Sequence, residues 1–245
     1  MLTYGLPLLL LVAAATLAGG IVPLRFRQQG RLFLTFSAGS LVGLALGELI
    51  PEGLIATQDP HLALAVVLLT FLATMAADKL HILHPHPHRM DECCPPVQHQ
   101  HAPLAIHGAF GLLLHSALDG VALAAALQQS VSTAAALSLA LAAHKFGDGL
   151  TTVSLVLSHR HPPRQATYVL LGNAALLAAG FAVAAVVAFP VNIVSWLLLA
   201  LAGFFLYLGA SDLIPSLTTV ACRKRDVLAT ALGAVMVMAV ALLAH

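Results

Sequence analysis

Charge is scarce in this sequence: ten acidic and eleven basic side chains among 245 residues, 9% in all. A soluble domain carries about 25%, so this chain cannot clothe a water-facing surface of ordinary composition. Its formal net charge is +1 and no basic stripe runs along it, so no nucleic-acid partner is expected. Cysteine is scarcer still. There are three, and two of them, Cys93 and Cys94, are adjacent in a His-rich stretch. That excludes a disulfide framework and favours metal contact or no role. The first apolar run, 2–22, lacks a basic segment ahead of it and has arginines behind it. It reads as a retained span, not a signal peptide.

What is abundant is apolar sequence, 60% of the chain. Runs near 20 residues recur, the length that crosses a hydrocarbon core of roughly 30 Å. Backbone groups in lipid must be satisfied within the segment, so these runs are helices. The predicted spans are 2–22, 32–50, 62–80, 105–127, 133–157, 166–189, 194–214 and 226–244. The expected fold is an all-α integral membrane protein of eight transmembrane helices, one polytopic domain over residues 1–245.

Ten basic residues fall in alternate connections. Arg25, Arg27 and Arg31 lie at the first, Lys79 and Arg89 at the third, Arg160 and Arg164 at the fifth, and Arg223, Lys224 and Arg225 at the seventh. Basic loops stay cytoplasmic. Both termini are therefore expected outside, in a cell (inner) membrane, with loop 81–104 in the cytoplasm. Residues 37–51, SAGSLVGLALGELIP, resemble 201–215, LAGFFLYLGASDLIP, and both end in acid-Leu-Ile-Pro. The two segments run in opposite directions through the bilayer. This predicts an inverted repeat of spans 1–3 and 6–8 around central spans 4 and 5. Chance similarity between two Gly/Ala/Leu-rich helices is the plainer alternative.

Ionisable residues at mid-membrane are costly and mark function. The fourth span holds His115 and Asp119, the fifth His144, Lys145 and Asp148. Each His–Asp pair is spaced i, i+4 and shares a helix face. In antiparallel register His115 faces Asp148 and Asp119 faces His144, about 15 Å deep. Two histidines and two carboxylates suit zinc and other first-row divalent ions better than magnesium or calcium. Buried His–Asp hydrogen bonds that merely join helices are the bland alternative. Lys145 is expected to pair with Asp148, Asp119 or both. On a count of two aspartates and one divalent ion, it adds a surplus positive charge. Gly120 and Gly149, each following an Asp, either pack helices closely or open space beside the site. Glu48 and Glu52 near the outer mouth, and Asp212 near the inner one, form a candidate uptake and release relay; ordinary interfacial acids are the alternative. Loop 81–104 carries His84, His86, His88, Cys93, Cys94, His99 and His101 among prolines, a composition that captures metal loosely without fixed geometry.

Together these motifs resemble the ZIP family of metal transporters. The family's His-Asn-x-x-acid-Gly motif stands here as His115-Ser116-Ala117-Leu118-Asp119-Gly120. Its His-Glu-x-x-acid-or-His motif stands as His144-Lys145-Phe146-Gly147-Asp148-Gly149. The resemblance implies import of Zn2+ toward the cytoplasm as a transported substrate, with Cd2+, Fe2+, Mn2+ or Ni2+ as further candidates, by a homodimer in a lipid bilayer. Two departures matter. The family's Asn and Glu serve a second metal, and here those positions are Ser116 and Lys145, so one metal is expected. The proline that usually precedes the acid in these motifs is replaced by Leu118 and Gly147. The competing readings are an intramembrane metalloprotease and a metal-sensing membrane protein. The first lacks a base, because Lys145 stands where a protease helix carries Glu, and no enzyme activity is expected.

Overall fold

The computed structural model describes residues 2–57, 59–80, 102–158, 161–187, 191–215 and 223–244. The loop candidates His84, His86, His88, Cys93, Cys94, His99 and His101 lie outside the described residues.

Every regular element described is helical. Helix α1 spans Leu2–Arg25 and α2 spans Gly30–Leu44. A π-helical turn, Ala45–Leu49, leads from α2 into α3, Ile50–Ala56. Helix α4 is Pro60–Lys79, α5 Ala102–Gln129, α6 Val131–Ser158 and α7 Pro163–Ala184. Helix α8, Val191–Leu206, runs into a second π-helical turn at Tyr207–Leu213, and α9 is Lys224–Ala244. The helix starts follow from local chemistry. The Asp59 carboxylate accepts the amides of His61 and Leu62 at 2.9 and 3.1 Å, with Pro60 at the first helical position. Both devices satisfy or remove donors that a helix start leaves unpaired. Ser130 alone separates α5 from α6, and its hydroxyl accepts the Thr133 amide at 3.0 Å.

Seven described helices are long and apolar enough to cross a membrane, Arg27–Ile55 counting as one. The 28-residue α6 is not among them. Its position in the bundle explains how it keeps its polar load. It packs against α1, α2, α5, α7 and α9, and all ten residues from Gly147 to Val156 are buried. Helix α4, by contrast, buries only Ala63, Val67 and Asp78. A helix enclosed by protein need not present apolar side chains to lipid.

Both π turns sit just ahead of the acid-Leu-Ile-Pro prolines. The Ile50 amide reaches back five residues to the Ala45 carbonyl, and the Ile214 amide to that of Gly209. A proline inside a helix lacks its N–H and crowds the carbonyl four residues earlier. The wider turn relieves that clash before Pro51 and Pro215, and such turns often occur at functional sites.

Candidate metal centre

The short link at Ser130 makes α5 and α6 antiparallel neighbours, and their inward faces bring four predicted side chains together. The Nε2 atoms of His115 and His144 stand 3.1 Å apart. Asp119 Oδ2 lies 3.5 Å from His115 Nε2 and 3.9 Å from His144 Nε2. Asp148 Oδ2 lies 3.7 and 3.4 Å from the same two atoms. Both cross-helix pairs expected from the register thus approach each other. Zinc bonds of ~2.0–2.1 Å in tetrahedral geometry hold ligand atoms roughly 3.3–3.4 Å apart. These five separations bracket that value. The cluster is sealed, with His115 1%, His144 2%, Asp119 5% and Asp148 7% exposed.

The sequence placed Glu48 near the outer mouth with Glu52, in an uptake relay; the structure instead buries it against the histidine pair. The wide turn at Ala45–Leu49 carries it to His144, where its Oε2 meets Nδ1 at 2.6 Å. A histidine that donates Nδ1–H to a carboxylate keeps Nε2 as a lone-pair ligand, held in orientation from behind. Glu48, His115, Asp119 and His144 also form a set in which one ligand atom from each lies within 4.8 Å of the others. That set contains Glu48 and omits Asp148. We favour Glu48 as the outer partner of His144, because its contact is made to Nδ1, away from the Nε2 pair. Phe205 meets His115 edge-on, with ring centroids 6.3 Å apart.

Lys145 is completely buried. Its ammonium pairs with Asp119, with Asp148 at 2.8 Å, and donates to Ser116 Oγ at 2.8 Å. Three N–H donors thus meet three acceptors, the condition under which a buried charge is tolerated. The chain of contacts continues: Ser116 donates to Asn173 Oδ1, and the Asn173 amide donates to Thr152 Oγ1 at 3.1 Å. Asn173 and Thr152 were missed by sequence reasoning. The available signal was an amide inside the apolar run LLGNAALL of α7.

The glycines after the two aspartates serve close packing. A Cβ added at Gly149 would strike the Thr16 carbonyl of α1, and one at Gly120 the Leu177 carbonyl of α7. Both neighbouring backbones therefore press against the site helices. Glu52 lies one turn past Glu48, half-buried in α3, and Asp212 is half-buried in the second π turn. Neither belongs to the set that gathers about the histidines.

Glu48 also alters the charge balance. The contacting groups are three carboxylates and one ammonium, with two histidines that can stay neutral. Adding a divalent ion brings their sum to zero. The count of aspartates alone lacked this third carboxylate, which a distant helix supplies.

Residues 83–241 match the family described as ZIP zinc transporter. Among curated proteins, Zinc transporter ZIP4 of Homo sapiens is 32% identical over 110 residues, which cover 45% of this chain and 17% of that protein. The matched stretch is thus a small part of that relative's length.

Proposed function

The chain belongs to the ZIP zinc transporter family, and from that premise we propose that it carries divalent metal ions, zinc first, toward the cytoplasm. The observation that carries this reading is the spacing of His115, Asp119, His144 and Asp148, whose ligand atoms stand 3.1 to 3.9 Å apart. The cargo ion binds between them, with Glu48 holding His144. Lys145 occupies the place of a second metal as a tethered cation, so one ion travels at a time. Borderline nitrogen ligands beside carboxylates suit Zn2+, with Cd2+, Fe2+, Mn2+ and Ni2+ as competitors.

The surrounding architecture is eight spans, with α6 as the fifth and an inverted repeat relating spans 1–3 to 6–8. The packing supports this. Besides α5 with α6, a pair that the repeat maps onto itself, the most extensively packed helix pairs are α1 with α6, α5 with α7, α2 with α9 and α4 with α8. Exchanging spans 1 and 6, 2 and 7, 3 and 8, and 4 and 5 converts the first pair into the second and the third into the fourth. The matching π turns at Ala45–Leu49 and Tyr207–Leu213 obey the same exchange. Both termini face outward in a cell membrane, the protein works as a homodimer, and Glu52 and Asp212 serve uptake and release. Cysteines placed in 51–61 should label from outside and those in 81–104 should not; the opposite pattern reverses the assigned direction.

The decisive experiment is uptake by the purified protein in liposomes, with the five metals offered singly and in competition. Saturable zinc uptake, lost in His115→Ala, is expected. Tight zinc binding with no flux of any ion would instead favour a sensor.

A further inference from the structure

A partly open space lies apart from the metal centre. A cavity of about 460 Å³ opens between the end of α1, the start of α2, the end of α6 and the start of α7. Its lining includes Arg27, Arg31, Ser154, Leu157 and His161. It is not a continuation of the metal site. At 3.6 residues per turn, Ser154 and Leu157 stand roughly 120° and 180° around α6 from Asp148. Among the described residues no carboxylate lines it, which makes it an unsuitable path for a metal cation.

Its polar groups are those that an anion requires. Arg31 is anchored by Asp226, with Nε and Nη2 each 3.0 Å from Oδ2. Arg27 is exposed, and among the described residues its one polar contact is Nε to the Leu24 carbonyl at 3.1 Å. Its two terminal nitrogens are thus uncommitted. Ser154 is 4% exposed, yet its hydroxyl has no hydrogen-bond partner among the described residues. The buried Nε2 of His161 likewise has none there. A buried donor left unpaired is costly, so a ligand oxygen that met these groups would remove an existing penalty. The remaining walls are largely carbon, including Pro23, Leu34 and Leu157. A free, fully hydrated anion gains nothing from such walls, whereas an acyl chain does.

We infer that this cavity binds one phospholipid with a net-negative headgroup, its phosphate between Arg27 and His161 and its acyl portion against Leu34 and Leu157. The location fits: the cavity sits where α1 ends and α2 begins, and the ends of helices that just cross the hydrocarbon core stand among headgroups. Basic pockets between membrane helices take anionic headgroups in this way.

Native mass spectrometry of the full-length protein, released from micelles doped equally with phosphatidylglycerol and phosphatidylcholine, tests the idea. The parent protein should retain one phosphatidylglycerol in preference to phosphatidylcholine. Arg27→Gln should weaken that retention about fivefold, the worth of one basic residue at a membrane surface. Leu157→Trp, which fills the cavity, should abolish it. Both variants should bind zinc as the parent does, which separates loss of the lipid site from misfolding and from failure of the transport reading. Arg27→Lys should retain most of the lipid. Equal retention of the two lipids, or unchanged retention in both Arg27→Gln and Leu157→Trp, would overturn the inference. Displacement of the lipid by millimolar inorganic phosphate would also overturn it, since the site would then be one for a free anion.

Discussion

The two sides of the buried cluster treat the same carboxylates differently. On one side, the Nε2 atoms of His115 and His144 face Asp119 and Asp148 at 3.4 to 3.9 Å, a set of nitrogen and oxygen atoms at ligand-to-ligand spacing. On the other, Lys145 binds those aspartates directly and has every donor engaged. One side suits a cation that arrives and leaves; the other holds a cation that cannot leave. The lesson is that occupancy is decided by whether the positive charge is covalently attached. Both sides draw on the same negative charge, so changing one changes the other.

The largest effect should come from removing the exchangeable side. Alanine at His115, Asp119, His144 or Asp148 should lower zinc affinity by more than about 100-fold, beyond what loss of an outer partner costs. Isothermal titration in detergent checks this, with the histidines of loop 81–104 replaced as the contrast. A modest effect is expected from the loop changes, and the reverse ranking would dismiss the buried site.

Next comes conversion of the tethered side. Lys145→Glu leaves four carboxylates, which two divalent ions neutralise as one ion and the ammonium did before. Metal stoichiometry should rise from one to two, read by elemental analysis of the purified variant. The ion-free variant should be destabilised by about 3–5 kcal/mol, the cost of breaking a buried ion pair, and zinc should restore it. A stoichiometry of one with unaltered affinity would place Lys145 outside the cation balance.

Glu48→Gln sharpens the comparison by weakening the hold on His144 and removing one negative charge, with the four ligating side chains intact. The amide keeps the size but loses the charge that holds Nδ1–H. Zinc affinity should fall about 10- to 100-fold, the usual effect of an outer-partner change. Stoichiometry should stay at one. A loss as complete as that of His144→Ala would make Glu48 a direct ligand.

The smallest effect is expected from Asn173→Leu on the lysine side. It strips partners from the buried hydroxyls of Ser116 and Thr152, worth about 1–3 kcal/mol. Thermal unfolding in detergent should shift downward while zinc affinity changes only a few-fold. An unchanged Tm would show that the Ser116–Asn173–Thr152 contacts carry no weight.

Much of this site was legible in the linear order of residues. The i, i+4 spacing of His115 with Asp119 and of His144 with Asp148 is a property of any helix, and the antiparallel register follows from two helices joined by a short link. Pairing of Lys145 with Asp148 is equally local, three residues along one helix. The apolar runs likewise foretold where helices would form. Even the low charge that defined seven runs as apolar was less clear for α6, whose polar residues make sense only once five other helices surround it.

What tertiary structure alone decided are contacts between residues far apart in the chain. Glu48 meets His144 across 96 positions, and Ser116 meets Asn173 across 57. Their side chains are ordinary polar residues in apolar helices, with no local spacing to connect them. Glu48 depends further on the π turn that Pro51 imposes, which changes the direction of a side chain relative to a regular helix. The sequence by itself determined the helices, their polar faces and the presence of a buried His/Asp pair, because these follow from composition and periodicity. The third carboxylate, and with it the charge balance that gives Lys145 its place, required the packing of α2 against α6, because electrostatic balance depends on distance in space and not along the chain.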